Sequence, residues 1–349
     1  MSTNDVLIRP VGSWGHITLN RPRALNALSY PMCCAIDDAL ATFASDPAII
    51  GVLIDGEGER GFCAGGDIRA LYDAARDGNV DAIATFFARE YRLNAHIASF
   101  PKPYVALMDG ITMGGGVGLS AHGSHRVVTE RTTLAMPEVG IGFIPDVGAS
   151  HLLGRAPDNL GIHVALTAMR LTAADALAID LADDHVASAS LDQLRRDLFE
   201  ITHPGEIGAL LRRYATPPGP SALIAQTSWI AQCYAFEAIT DILKALRASG
   251  PAASEAASII TRQSPTSVRL ALRALREARR LGSLEPCLAL EYRIALRRVR
   301  SHDFIEGIRA AVVDKDRNPQ WNPKGLSEID DAALDGYFAS LGTGELRFD

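Results

Sequence analysis

Short apolar runs broken by glycine fill the first part of the chain, and long stretches of helical period fill the rest. Val6–Val11 and Trp14–Asn20 read as two β-strands joined through Gly12-Ser13 in a hairpin. Ser29 followed by Pro31 is an N-cap and first turn for a helix to about Ser45. Ile49–Ile54 has the pattern of a buried strand, punctuated by Asp55-Gly56. A glycine loop, Gly61-Phe-Cys-Ala-Gly-Gly-Asp67, then leads into a helical Ile68–Tyr72, and Asp81–Ser99 forms a second amphipathic helix. Tyr104–Met108 is the next strand, and it feeds into Gly110–Asp146, the stretch around which the chain is organised. Strand, glycine-rich loop and helix thus occur twice, over 51–75 and 103–122, as a rhythm and not a repeat of fixed period. Arg126–Glu130 and Thr133–Met136 are further short strands, and helical patterns follow, including Ala173–Ile179 and Leu191–Leu210. Thr216-Pro-Pro-Gly-Pro220 marks a linker, so residues 1–215 are expected to form the core and 216–349 a helical region. There Ser221–Ser249, Ser267–Leu281 and Cys287–Arg300 read as helical, the last two separated by Gly282 and Pro286. Their polar positions are strongly basic, which fits a solvated surface or a face for an anionic ligand or neighbouring subunit.

Composition narrows the function classes. With 349 residues, 48% hydrophobic and 21% charged, the chain can bury a large core. A net charge of −7 argues against nucleic acid as a partner, which needs a basic footprint. No apolar run approaches the roughly 20 residues of a membrane span. The five cysteines are odd in number and lack CxxC spacing, so reduced thiols and no zinc site are expected. With an N-terminus lacking signal or transit character, the expected location is cytoplasmic.

The candidate chemistry lies in the glycine runs and in two carboxylates. Backbone N–H groups of glycine meet a ligand with no side chain in the way, and Gly66 and Gly115 are the natural donors at the two strand-to-helix junctions. Two such donors aimed at a developing oxyanion lower a barrier by about 3–4 kcal/mol each. The alternative is a dinucleotide-phosphate loop. A strict GxGxxG starting at Gly114 fails at Leu119, a relaxed form fits Gly116, Gly118 and Ala121, and no Walker-type motif occurs. Glu138 and Asp146 each follow a proline among apolar neighbours, as candidate acids and bases or as loop caps. Glu90 on its amphipathic helix reads equally as a solvated or ion-paired residue. Cys63 reads as a small buried residue, and His122 and His125 lack a third metal ligand.

The segments Gly61-FCAGGDIR, Pro103-YVALMDGITMGGGVGLS and Ala135-MPEVGIGFIPDVG resemble the enoyl-CoA hydratase/isomerase (crotonase) superfamily. Together with Phe87–Asn94, Asp303–Arg309 and the DKDxxPxW-like stretch ending at Trp321, they look most like its 3-hydroxyisobutyryl-CoA hydrolase branch. The resemblance implies an α/β, crotonase-like spiral of ββα repeats with a C-terminal helical region that closes the site or mediates assembly, as a trimer or dimer. It implies an acyl-CoA substrate, so coenzyme A enters as part of the substrate and no separate cofactor or metal is needed. By position, Gly66 and Gly115 match the oxyanion-hole amides, and Glu90, Gly115, Glu138 and Asp146 the substrate-contacting positions. Ala64 and Gly66 match the loop along the CoA pantetheine, and Arg23 is a partner for the nucleotide phosphates. Where hydratases carry the first of two catalytic glutamates, this chain has Gly118, which favours thioester cleavage over water addition. Glu138 then acts as general base on water or attacks the carbonyl itself to give an anhydride. A hydratase or isomerase, and a non-catalytic acyl-CoA- or RNA-binding member of the fold, are the competing expectations.

Overall fold

Nearly continuous apolar runs make strands that are covered on both faces, and such strands pair in parallel. In the computed structural model, which describes residues 4–348, this holds for β3 (Gly51–Gly56) and β5 (Tyr104–Met108). They lie in a six-stranded sheet of order β1-β2-β3-β5-β7-β9, with β1 (Val6–Val11), β2 (Trp14–Leu19), β7 (His125–Val128) and β9 (Asp184–His185). The β1–β2 hairpin is the antiparallel pair, Val11 opposite Trp14, and the other pairings are parallel. A second sheet, in the order β4-β6-β8, is built from β4 (Gly61–Cys63), β6 (Ile111–Met113) and β8 (Thr133–Ala135). Successive pairs therefore split between the sheets: β3 then β4, β5 then β6, β7 then β8, each followed by helical turns. This is the α/β architecture of ββα repeats expected above.

The chain forms two compact units interleaved in sequence. The first holds residues up to Gly66 with Arg92–Leu134 and Leu171–Ser221, and the second holds Asp67–Tyr91, Ala135–Arg170 and the chain from Ala222 on. The core of the first gathers Trp14, Leu53, Val105, Leu107 and Val127 of the sheet against Leu191, Leu194 and Leu198. Trp14 Nε1 donates to the Ile201 carbonyl at 3.3 Å, so the indole is buried without an unpaired N–H. Leu191–Leu210, expected as one helix, is two: Leu191–Glu200 and Ile207–Tyr214. Pro204 divides them, because the residue before a proline is driven extended, as His203 is (φ −130°, ψ 124°). Pro286, expected to break the chain, lies instead in the first turn of helix Leu284–Arg298, where a missing N–H goes unused. Pro251–Arg262 is a helix that the periodicity did not reveal.

In the second unit the basic polar face turns inward on its own chain. Arg269 pairs with Asp331, Arg273 with Asp335 at 2.6 Å while stacking on Phe338, and Arg293 with Glu345 at 2.9 Å. These arginines secure the C-terminal segment from a largely solvated face, on which Arg280 is exposed. The DKDxxPxW stretch is a clasp of the same kind: Arg309 pairs with Glu306, Asp314 and Asp316, and Trp321 Nε1 donates to the Arg262 carbonyl. Deeper in, Arg298 is only 2% exposed and donates through Nε to the Gly142 carbonyl at 3.0 Å. Asp303, also buried, lies 3.8 Å away and accepts from Ser264 Oγ and the Asn322 N–H. Removing one member of a buried pair strands the other charge, so Asp303→Ala is expected to destabilise the protein by about 3–5 kcal/mol. Replacing both, as Arg298→Met with Asp303→Leu, is expected to recover much of that loss. Urea denaturation of the two variants checks the order.

Candidate active site

Glycine brings two loops of the first unit into contact. Gly65 has φ +104°, and a Cβ there would sit 3.1 Å from the Met113 carbonyl and 3.5 Å from the Gly115 nitrogen. One placed on Gly116 would lie 2.3 Å from the Cys63 carbonyl, a distance no side chain tolerates. The loop after β4 and the start of helix Gly115–Ser120 are thus pressed together at their backbones. Among the described residues neither the Gly66 nor the Gly115 N–H has an acceptor in the chain, which leaves two adjacent loops each with a donor to offer. Cys63 is buried with its thiol directed at the Gly65 carbonyl, 3.8 Å away, the role of a small packed residue.

Arg23 and Ala64 fall beside the same loop. Arg23 is exposed on the turn Pro22–Ala24, and the Ala64 N–H donates to the Leu25 carbonyl at 2.9 Å. Asn26, fully buried, ties the segments together: its amide donates to the Glu57 and Gly61 carbonyls and accepts from the Arg21 N–H. From sequence alone Asn26 had no role of its own.

The second unit gathers the carboxyl groups. Helix Val80–Ala98 places Phe87, Glu90 and Tyr91 on one face by the three- and four-residue spacing of a helix, and all three are buried. Glu138 opens a single 3₁₀ turn, Glu138–Ile141, that closes on the left-handed Gly142. A Cβ on Gly142 would meet the Asp303 carbonyl at 2.0 Å, so only glycine allows this loop to lie where it does. Phe143 then stacks on Phe87 at 5.4 Å and packs against Phe304, giving the carboxyls an apolar wall. Asp146 accepts a 2.6 Å hydrogen bond from the Tyr91 hydroxyl on Oδ2. Neither Tyr91 nor Glu291, a further buried carboxyl that binds the turn after Asp146, was identified from sequence.

Charge in such a cluster is rationed by burial. Desolvation, helped by the charge on Asp146, pushes Glu90 and Glu138 well above the usual carboxylate range. Asp146 is also raised by burial, to about 7, but the Tyr91 hydroxyl and backbone donors hold it back. Of the three, Asp146 is therefore the carboxyl whose ionised form is best supplied with donors, while burial and the charge on Asp146 favour the protonated forms of Glu90 and Glu138. Among the described residues Glu90 Oε1 and Glu138 Oε2 are buried with no hydrogen-bond partner, which buried polar atoms in native proteins rarely are.

Comparison with known proteins places the chain in a family. The enoyl-CoA hydratase/isomerase profile matches residues 14–338. Proteins named 3-hydroxyisobutyryl-CoA hydrolase, mitochondrial, are similar along nearly the whole chain. That of Gallus gallus is 41% identical over 99% of this chain and 91% of its own length, and that of Homo sapiens 39% over 99% and 92%. Two crystal structures share the fold closely. A carnitinyl-CoA dehydratase from Mycobacterium thermoresistibile superposes with a TM-score of 0.94 at 45% identity, covering 99% of both chains. An enoyl-CoA hydratase from Rhodobacter sphaeroides 2.4.1 does so with 0.89 at 40% identity, covering 99% of this chain and 100% of its own.

Because the Tyr91 hydroxyl stabilises the ionised form of Asp146, Tyr91→Phe is expected to raise the Asp146 pKa from about 7 by about one unit. A carbon-13 carboxyl titration followed by NMR reads that midpoint directly; an unmoved or lowered midpoint would refute the assignment of the charge.

Proposed function

The chain belongs to the enoyl-CoA hydratase/isomerase family, and on that premise we propose that it hydrolyses a CoA thioester, converting 3-hydroxyisobutyryl-CoA and water to 3-hydroxyisobutyrate and CoA in valine breakdown. The observation that carries hydrolysis over hydration is Gly118, a buried glycine at the position where hydratases, by resemblance, hold a catalytic glutamate. Water addition across a double bond calls for two carboxylates on one water, and a hydrogen atom at that position supplies none. The two structures named for dehydration and hydration share the fold, which the chemistry of individual side chains then divides.

In this reading the Gly66 and Gly115 N–H groups receive the thioester oxygen as negative charge develops on it. The ionised Asp146 takes the proton of Glu138. The Glu138 carboxylate then either takes a proton from water, whose hydroxide attacks the carbonyl, or attacks the carbonyl itself to give an anhydride that water opens. In both routes the C–S bond breaks, the departing thiolate takes the proton from Asp146, and the acid product releases its own proton to solvent. Glu90, whose protonated form burial favours and whose Oε1 has no partner among the described residues, donates to the substrate's β-hydroxyl. Arg23 serves the CoA phosphates and Ala64 the pantetheine. The C-terminal region, 216–349, serves the site through Glu291 and its helix.

The relatives are named as mitochondrial, and a reducing mitochondrial matrix suits five cysteines without a disulfide as well as the expected cytoplasm does. No helix among the described residues is long and apolar enough to cross a membrane.

The deciding assay offers a panel of acyl-CoAs and follows free thiol together with enoyl absorbance. Thiol release from a β-hydroxyacyl-CoA is expected; enoyl turnover without thiol release would replace hydrolysis by hydration. Glu138→Gln, which can neither give nor take the proton, is expected to lower kcat by about 10²–10⁴-fold while CoA still binds. Oxygen-18 water in a single turnover separates the two routes, since only the anhydride route labels the Glu138 carboxylate.

A further inference from the structure

Asp146 is followed by two residues in the left-handed region, Val147 at φ 53° and Gly148 at φ 82°. For a β-branched residue that conformation is costly and persists only where the surroundings enforce it. What enforces it comes from far along the chain. Glu291, on helix Leu284–Arg298, is completely buried and spends both oxygens on this turn. Its Oε2 accepts the Gly148 N–H at 2.7 Å, and its Oε1 accepts the Ser150 N–H at 2.9 Å together with the Ser150 hydroxyl. Three hydrogen bonds thus converge on the two oxygens of one side chain. The next residue on the helix, Tyr292, packs edge-on against Tyr91 at 6.2 Å, and Tyr91 is the donor that holds the Asp146 carboxylate. Two consecutive residues of one helix thus grip Asp146 by its backbone and by its side chain's partner.

We propose that Glu291 is the positioning residue of the site, fixing the Val147-Gly148 turn so that the Asp146 carboxylate stands at the Tyr91 hydroxyl in its reacting position. The proposal rests on the reading of Asp146 as the proton acceptor. Glu291 itself touches no substrate; it acts through Asp146. Burial raises its own pKa to about 8, and the Ser150 and Gly148 donors work against that rise.

Glu291→Met keeps the length and removes the acceptors. It is expected to lower kcat about 10²-fold, the scale of an ångström of misplacement, with KM for the acyl-CoA within threefold of the parent. Glu291→Gln keeps one acceptor and sets an NH₂ against the remaining N–H in either orientation. An intermediate loss of about tenfold is expected, and this variant carries the test if the methionine variant does not fold. The discriminating measurement is a double-mutant cycle with Asp146→Asn. A residue acting through Asp146 adds less than threefold to the loss already caused by Asp146→Asn, whereas a merely structural role multiplies the two losses. Multiplied losses, or kcat within twofold of the parent in both Glu291 variants, would overturn the proposal. Amide hydrogen exchange over residues 147–150 keeps the two failures apart. Faster exchange in the Glu291 variants shows that the turn was held by Glu291 even if Asp146→Asn retains full activity, in which case the reading of Asp146 falls. Unchanged exchange overturns the positioning role whatever the kinetics.

Discussion

Several carboxyl groups sealed from water cannot all ionise, and much of the second unit is arranged around that constraint. Glu90, Glu138, Asp146 and Glu291 are each buried, and burial is the leading reason each resists losing its proton. What differs among them is the supply of donors. Asp146 has the Tyr91 hydroxyl, Glu291 has two backbone N–H groups and a serine, and Glu90 and Glu138 each keep an oxygen with no partner among the described residues. Burial raises all four, and for Asp146 and Glu291 the donors offset part of that rise. Neighbouring carboxyl groups that differ in their hold on a proton are what an acid–base relay needs.

That arrangement opposes stability. A carboxyl whose folded pKa lies above its unfolded value binds more protons when folded, so its contribution declines as pH rises from about 4 toward the folded pKa, about 7 for Asp146 and about 8 for Glu291. The protein compensates nearby with interactions that have no chemical task. The Phe87–Phe143 stack, the Arg298 contact to the Gly142 carbonyl and the Arg309 clasp hold the loops and tail of the same unit. The tail motif that looked specific to one branch of the family is therefore structural in this chain: its aspartates meet Arg309.

Local chemistry was legible in the sequence, and long-range partnership was not. Gly66, Gly115, Glu138 and Asp146 could be singled out because glycine runs and proline-flanked carboxylates announce themselves to a reader who sees one segment at a time. The ββα rhythm was legible for the same reason, since each turn of it is local. Tyr91 meets Asp146 across 55 positions of chain and Glu291 meets Ser150 across 141, and no spacing rule spans those distances. Glu291 sits in a helix of ordinary amphipathic pattern, where a glutamate reads as surface. Misread elements had local causes outweighed by others: Leu191–Leu210 kept a helical rhythm through Pro204, and Pro286 was read as a stop though a proline in a first turn is an easy start.

The charge balance also bears on why a scaffold shared with hydratases suits hydrolysis. Hydration of an enoyl thioester leaves a neutral acyl group, so two carboxylates can stay ionised or share a proton around one water without meeting a new charge. Hydrolysis creates a carboxylate product. With Asp146 already negative and the surroundings poor in water, a second anion in the same apolar enclosure is repelled, and the repulsion favours departure over the reverse reaction. Glu90, whose ionisation burial opposes, adds little to that repulsion.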